Sequence, residues 1–250
     1  MKEVNLPILE FGQGEKLIVI LPSLMDSFKS CLDNEKILKR QWRDLAQSHR
    51  LMFISRPNKL NLTTSQNIAK MIVPQIPKCD LMIGISMGGL IAQHLINIKP
   101  DICKKLVLAM SSDKQNSDEI NTLLEWQELS ENENWQDLQK STLEVIYNKP
   151  YKPESGLRLI VPKPRSKSLL VNSIKACISH NSSEFIAKIK QKTLIIACEF
   201  DRLFPLQELN LLSKKMMNAK LFVILGASHG LHGDSMKQLQ KSVDQFLNEG

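Results

Sequence analysis

The sequence predicts an α/β fold: a mostly parallel sheet of about eight strands flanked by helices, with a helical insertion. Three observations carry this. Strand-like and helix-like segments alternate strictly over residues 1–110. The same alternation returns after residue 190. The strand candidates are continuous apolar runs, as expected for strands buried on both faces.

In chain order, Val4 to Phe11, turned by Gly12-Gln13-Gly14, reads as an antiparallel edge strand. Lys16 to Leu21 is a buried strand ending in Pro22-Ser23, and Ile37 to His49 has helical apolar spacing. Leu51 to Ile54 is a strand stopped by Arg56-Pro57, followed by a helix over Ser65 to Ile76. Asp80 to Ile85 is a strand, and Met87 to Ile98 a helix that starts at once after it. Lys105 to Met110 is a further strand. Late in the chain come strand Thr193 to Ala197, helix Leu206 to Met217, strand Leu221 to Leu225 and helix Ser235 to Leu247.

Residues 111–190 break the pattern and read as an insertion between two sheet strands. Asn121 to Asn148 is largely helical and acidic, and Ser168 to Ser179 is helical. Between them Pro150, Pro153, Pro162 and Pro164 block regular structure. The predicted core is therefore 1–110 with 191–250, and the predicted cap or lid is 111–190.

Composition fits an ordinary globular domain, with 250 residues, 42% hydrophobic and 24% charged. No apolar run approaches the roughly 18 residues of a membrane span. Met1 to Pro7 has no signal-peptide apolar region. Cys31, Cys79, Cys103, Cys177 and Cys198 are scattered and odd in number, which argues for a reducing, cytoplasmic setting and against structural zinc. The net charge of +7 is spread over dispersed lysines, so nucleic acid is not an expected partner. Lys163, Arg165 and Lys167 read as a solvated basic loop, with guidance of an anionic substrate as the alternative.

The strongest chemical signal is Gly84-Ile85-Ser86-Met87-Gly88-Gly89. This Gly-x-Ser-x-Gly follows a buried strand and precedes a helix, the context of a nucleophile elbow. A serine on so tight a turn needs neighbours without side chains, and the following helix N-terminus favours developing negative charge. A serine nucleophile needs a base. His229, in the loop after Leu225, is the first choice, with His232 as competitor. His49 and His180 read as surface residues, and His94 lies on the helix after Ser86. The base needs a carboxylate to fix its tautomer. Asp201, in the loop after Cys198, is the first choice, with Asp113 as the topological alternative and Glu199 too near the strand end. No metal-ligand spacing and no phosphate-binding glycine loop are present in the sequence, so no cofactor is expected.

The order Ser86, Asp201, His229, with an elbow and an insertion before the acid strand, resembles the α/β-hydrolase superfamily over nearly the whole chain. The resemblance implies a catalytic Ser-Asp-His triad beneath a mobile cap. It also implies an oxyanion loop after the first long strand, here Leu21-Pro22-Ser23-Leu24-Met25, with Pro22 and Ser23 at the usual His-Gly positions. The donors would be the backbone N–H groups of Leu24 and Met87. A comparable departure, Asn-Ser-Leu-Gly, occurs in the enol-lactone hydrolase branch. Ser55-Arg56-Pro57-Asn58-Lys59 stands where many relatives have Asp-x-Arg-Gly-x-Gly; Arg56 matches and the glycines do not. A serine nucleophile disfavours haloalkane dehalogenase and epoxide hydrolase chemistry. The expected activity is hydrolysis of a small-molecule carboxylic ester or thioester through an acyl-enzyme. An acyltransferase or carbon–carbon bond hydrolase on the same triad, and a non-catalytic receptor or scaffold, are the alternatives.

Overall fold

The computed structural model describes residues 4–148 and 162–249. Most of the proline-rich 148–167 stretch lies outside the described residues. Seven strands form one sheet: β1 (Ile8–Gly12), β2 (Leu17–Leu21), β3 (Arg50–Ile54), β4 (Cys79–Ile85), β5 (Cys103–Ala109), β6 (Lys192–Cys198) and β7 (Ala219–Ile224). The spatial order is β1-β3-β2-β4-β5-β6-β7. β1 runs antiparallel to β3, as the Gly12–Gly14 turn predicts, and every other pairing is parallel. The count is seven among the described residues, where about eight are expected.

The central strands follow from their composition. All five residues of β2 are buried, as are most of β4 and β5. Helices therefore cover both faces of the sheet. The helix after β4, α4 (Met87–Ile98), begins and ends where the sequence predicts, and ten of its residues are buried. The helix expected over 37–49 is instead two pieces, α1 (Glu35–Gln41) and α2 (Arg43–Ala46). The break falls at Trp42, which leaves helical geometry (φ −103°, ψ 18°). Its buried ring stands edge-on to Phe53 of β3, centroids 5.6 Å apart. α3 (Ser65–Ile72) is capped by Thr64, whose hydroxyl accepts from the Asn67 N–H at 3.2 Å.

Between β5 and β6 lie α5 (Ser117–Glu131), α6 (Trp135–Tyr147) and α7 (Lys167–Ile178). α5 packs against both α6 and α7. α8 (Leu206–Lys215) and α9 (Gly233–Asn248) complete the chain. Among the described residues no helix is long and apolar enough to cross a membrane.

All five cysteines are free and buried. Burial pushes the Cys79 and Cys198 thiols up to about 12 and raises Cys103 as well, so they pack as small apolar groups.

Candidate active site

The parallel strands place their C-terminal ends on one edge of the sheet, where open α/β sheets gather functional groups. Ser86 follows β4. Its backbone sits at φ 51°, ψ −119°, in the left-handed half of the map that non-glycine residues rarely enter. The glycines around it explain how that turn is tolerated. A β-carbon on Gly84 would collide with Gly89, and one on Gly88 would collide with the Leu21 carbonyl oxygen of β2. The Ser86 N–H donates to the Ala109 carbonyl at 2.8 Å, which ties the turn to the neighbouring strand.

His229 lies in the loop after β7 and Asp201 in the loop after β6. His229 Nε2 is 3.1 Å from Ser86 Oγ, and His229 Nδ1 is 2.8 Å from Asp201 Oδ2. The other carboxylate oxygen, Asp201 Oδ1, accepts from the N–H groups of Leu203 and Phe204 at 2.8 and 3.0 Å. Asp201 is thus buried with both oxygens engaged. The Phe204 ring stacks on the His229 imidazole, centroids 5.6 Å apart and planes 26° from parallel. The imidazole is held at both nitrogens and on one face, which leaves it one orientation.

The first long strand delivers the Pro22–Met25 loop. Leu24 opens a 3-10 turn (Leu24–Ser27) and Met87 opens α4, so each N–H occupies a helical first turn, where no intrahelical acceptor exists. Leu24, Ser86, Met87 and His229 line one cavity of about 380 Å³. The loop is clamped from behind. Arg56, buried, donates to the carbonyls of Ser23 and Leu24 at 3.1 and 3.3 Å and to Ser27 Oγ at 3.2 Å. Its backbone N–H donates to Asp26 Oδ2 at 2.9 Å, and Arg165 donates to the same oxygen at 3.0 Å.

The cavity roof is built from Leu123 and Trp126 of α5, Leu138 and Ile146 of α6, and Leu170 and Ile174 of α7. α6 also reaches the histidine loop, where the Gly230 N–H donates to the Ile146 carbonyl at 3.0 Å. A side chain at Gly230 would strike Ile146 and Tyr147.

An α/β-hydrolase enzyme, MGS-M2, from a Medee basin deep-sea metagenome library superposes with a TM-score of 0.81 at 22% identity, covering 100% of this chain and 96% of that one. The chain has the α/β-hydrolase fold. An esterase from Exiguobacterium antarcticum is similar with a TM-score of 0.76 at 15% identity, covering 98% and 96% of the two chains. An enol-lactonase from Burkholderia xenovorans LB400 gives the same TM-score, 0.76, also at 15% identity and with 98% and 96% coverage. No family model matches the sequence, and no curated protein matches it.

Within this α/β-hydrolase fold, the competing residues sit elsewhere. His232 N-caps α9, its Nδ1 3.1 Å from the Gly230 carbonyl. Asp113 pairs with Lys215 at 2.8 Å and accepts from Ser183. Glu199 accepts from the Gly226 N–H. Three sequence expectations are corrected. His49 and His180 are buried rather than at the surface. His49 Nε2 lies 2.8 Å from Asp244 of α9, and His180 Nδ1 lies 2.8 Å from Ser65 Oγ of α3; both are contacts between distant chain segments. The basic 163–167 stretch is not simply a solvated loop. Arg165 is inserted between Asp26 and Asn58, its side chain 8% exposed, and Lys167 pairs with Glu133.

Sequence reasoning missed Gln115 and Glu119, two buried polar residues that line the cavity. The available signal was the Asn116-x-x-Glu119 capping box at the start of α5, which marks a helix start but not burial. Burial pushes the Glu119 carboxyl up to about 9, and the nearby carboxylates Glu208 and Asp201 push in the same direction. Among the described residues no cluster of three or more His, Cys, Asp or Glu has the arrangement of a metal site.

Proposed function

We propose that the protein is a carboxylesterase-like serine hydrolase acting on a small-molecule ester or thioester through an acyl-enzyme. The observation that carries this reading is the unbroken chain from Asp201 through His229 to Ser86, at 2.8 and 3.1 Å, opening into an apolar cavity. Ser86 Oγ attacks the acyl carbon while His229 Nε2 takes its proton. Asp201 holds the tautomer with the proton on Nδ1 and stabilises the imidazolium. The N–H groups of Leu24 and Met87 receive the negative oxygen of the tetrahedral intermediate. His229 then gives its proton to the leaving alcohol or thiol. Water, deprotonated by the same nitrogen, releases the acid and restores Ser86.

The helices α5 to α7 act in this reading as a cap over the acyl-enzyme. The five free, buried cysteines support a cytoplasmic setting. The 13–22% identity to solved relatives carries the fold and leaves the substrate to be found by assay.

The test is steady-state hydrolysis of 4-nitrophenyl and thioester acyl series. Wild type should turn over at least one chain length, and Ser86→Ala should lose at least about 10⁴-fold in kcat/KM. Equal turnover by Ser86→Ala would contradict the reading.

A further inference from the structure

The cavity wall contains two polar side chains that the triad chemistry does not use. Gln115 lies in the loop from β5 into α5 and is 8% exposed; Glu119, in the first turn of α5, is 1% exposed. Gln115 has neither its amide nitrogen nor its amide oxygen matched by a partner among the described residues. Glu119 uses Oε2 to accept from the Asn116 N–H at 2.7 Å and leaves Oε1 unmatched. Buried polar atoms without partners are costly, and a protein retains them where something else supplies the bond.

Other buried polar groups on this cavity are differently placed. Asp26 is held by Arg56 and Arg165, Ser30 by Asp33, and Ser55 by the Cys31 N–H. Asp26 and Asn34 each leave an acceptor oxygen unmatched. Among the described residues that line the cavity, Gln115 Nε2 is the buried donor left unmatched.

We infer that Gln115 and Glu119 form a polar subsite that binds a hydroxyl group carried on the otherwise apolar substrate. The inference rests on the hydrolase reading for the word substrate, and on geometry for the subsite. A hydroxyl both donates and accepts, so it satisfies the Gln115 carbonyl and amide together. A ketone would leave the carbonyl unmatched. A carboxylate would face the nearby Asp201 and Glu208 charges that already disfavour ionisation of Glu119. With its carboxyl held neutral by burial, Glu119 presents an O–H donor or a carbonyl acceptor at Oε1 rather than a charge. An ammonium group, a donor alone, would leave the Gln115 amide N–H unmatched.

The test compares ethyl hexanoate with its monohydroxy isomers and with ethyl 6-aminohexanoate. Binding is read by calorimetry on Ser86→Ala and turnover on wild type. At least one hydroxy isomer should bind, and should be turned over, about tenfold or more better than the parent ester. Gln115→Met, an apolar side chain of similar length, should bring that ratio to about one. Glu119→Gln, which keeps a neutral donor and the cap, should retain the preference, whereas Glu119→Leu should lose it. Because each ratio is taken within one variant, a general loss of activity cancels. Hydroxy and parent esters handled alike by wild type, no binding of any isomer, a ratio that survives in Gln115→Met, or tighter binding of the amino ester would each overturn the subsite. Preferential binding of a hydroxy ester by Ser86→Ala without turnover by wild type would instead contradict the hydrolase reading and leave the subsite standing.

Discussion

Asp201 is held at both carboxylate oxygens. One oxygen meets His229, and the other takes two backbone N–H groups of the loop that leads into α8. Asp201→Asn keeps the shape, but the amide NH₂ can face Nδ1 only if the imidazole takes the wrong tautomer. The expected outcome is a loss of about 10⁴-fold in kcat with a folded protein, checked by kinetics alongside circular dichroism. The meeting of Ser86, Asp201 and His229 at one sheet edge was legible in the sequence because each stands just past a continuous apolar run. Gln115 and Glu119 were not, because a polar residue at a helix start looks the same whether it faces solvent or a cavity. The groups beside Glu119 include Asp201 and, from α8, Glu208, both of which arrive from later in the sequence.

At the scale of elements, the elbow depends on close approach between β2, β4 and α4. Gly88→Ala would drive a methyl group into the Leu21 carbonyl oxygen, which is backbone of the central strand and has little room to give. We expect that substitution to cost about 3 kcal/mol or more, read by urea unfolding, with Ser86 displaced. The clamp on the Pro22–Met25 loop makes a second prediction. Arg165 comes from the insertion and bonds Asp26, the Asp26 carbonyl, Asn58 and the Arg56 carbonyl. Arg165→Met should destabilise by about 2 kcal/mol, since Asp26 keeps Arg56 as a partner, and should lower kcat more than it raises KM. Equal stability and kinetics would show that the clamp is incidental. The alternation of strands and helices made these elements legible. The Trp42 break and the Arg165–Asp26 pair were not legible, because the first follows from packing on Phe53 of the next strand and the second from a partner 139 residues away, and helical periodicity shows neither.

For the whole molecule, pH dependence follows from buried ionisable groups outside the Ser86–His229–Asp201 chain. His94 and His180 pack edge to face, centroids 5.2 Å apart. Burial lowers His94 to about 4, with Lys70 adding to the effect. Burial lowers His180 to about 3, with His94 adding to the effect. A histidine depressed in the native state binds its proton more readily when unfolded. Its contribution is therefore complete above its ordinary value of 6.5 and is lost as pH falls toward 4 and 3. Chemical denaturation at pH 7 and pH 4.5 should show His94→Phe losing less stability than wild type over that interval. Glu119 acts in the opposite direction. Its carboxyl is raised from 4.5 to about 9, so its contribution is complete below 4.5 and is lost as pH rises through about 9. Glu119→Gln should hold its stability from pH 5 to pH 9 while wild type declines. Parallel curves for variant and wild type would contradict the burial of that carboxyl.

The proposed function requires Ser86 to be an activated nucleophile. It is tested most directly by reacting wild type and Ser86→Ala with a fluorophosphonate and reading intact mass and peptide maps. The expected result is one adduct per wild-type chain, located on Ser86, and none on Ser86→Ala. An unlabelled wild-type protein, or labelling that persists in Ser86→Ala, would contradict it.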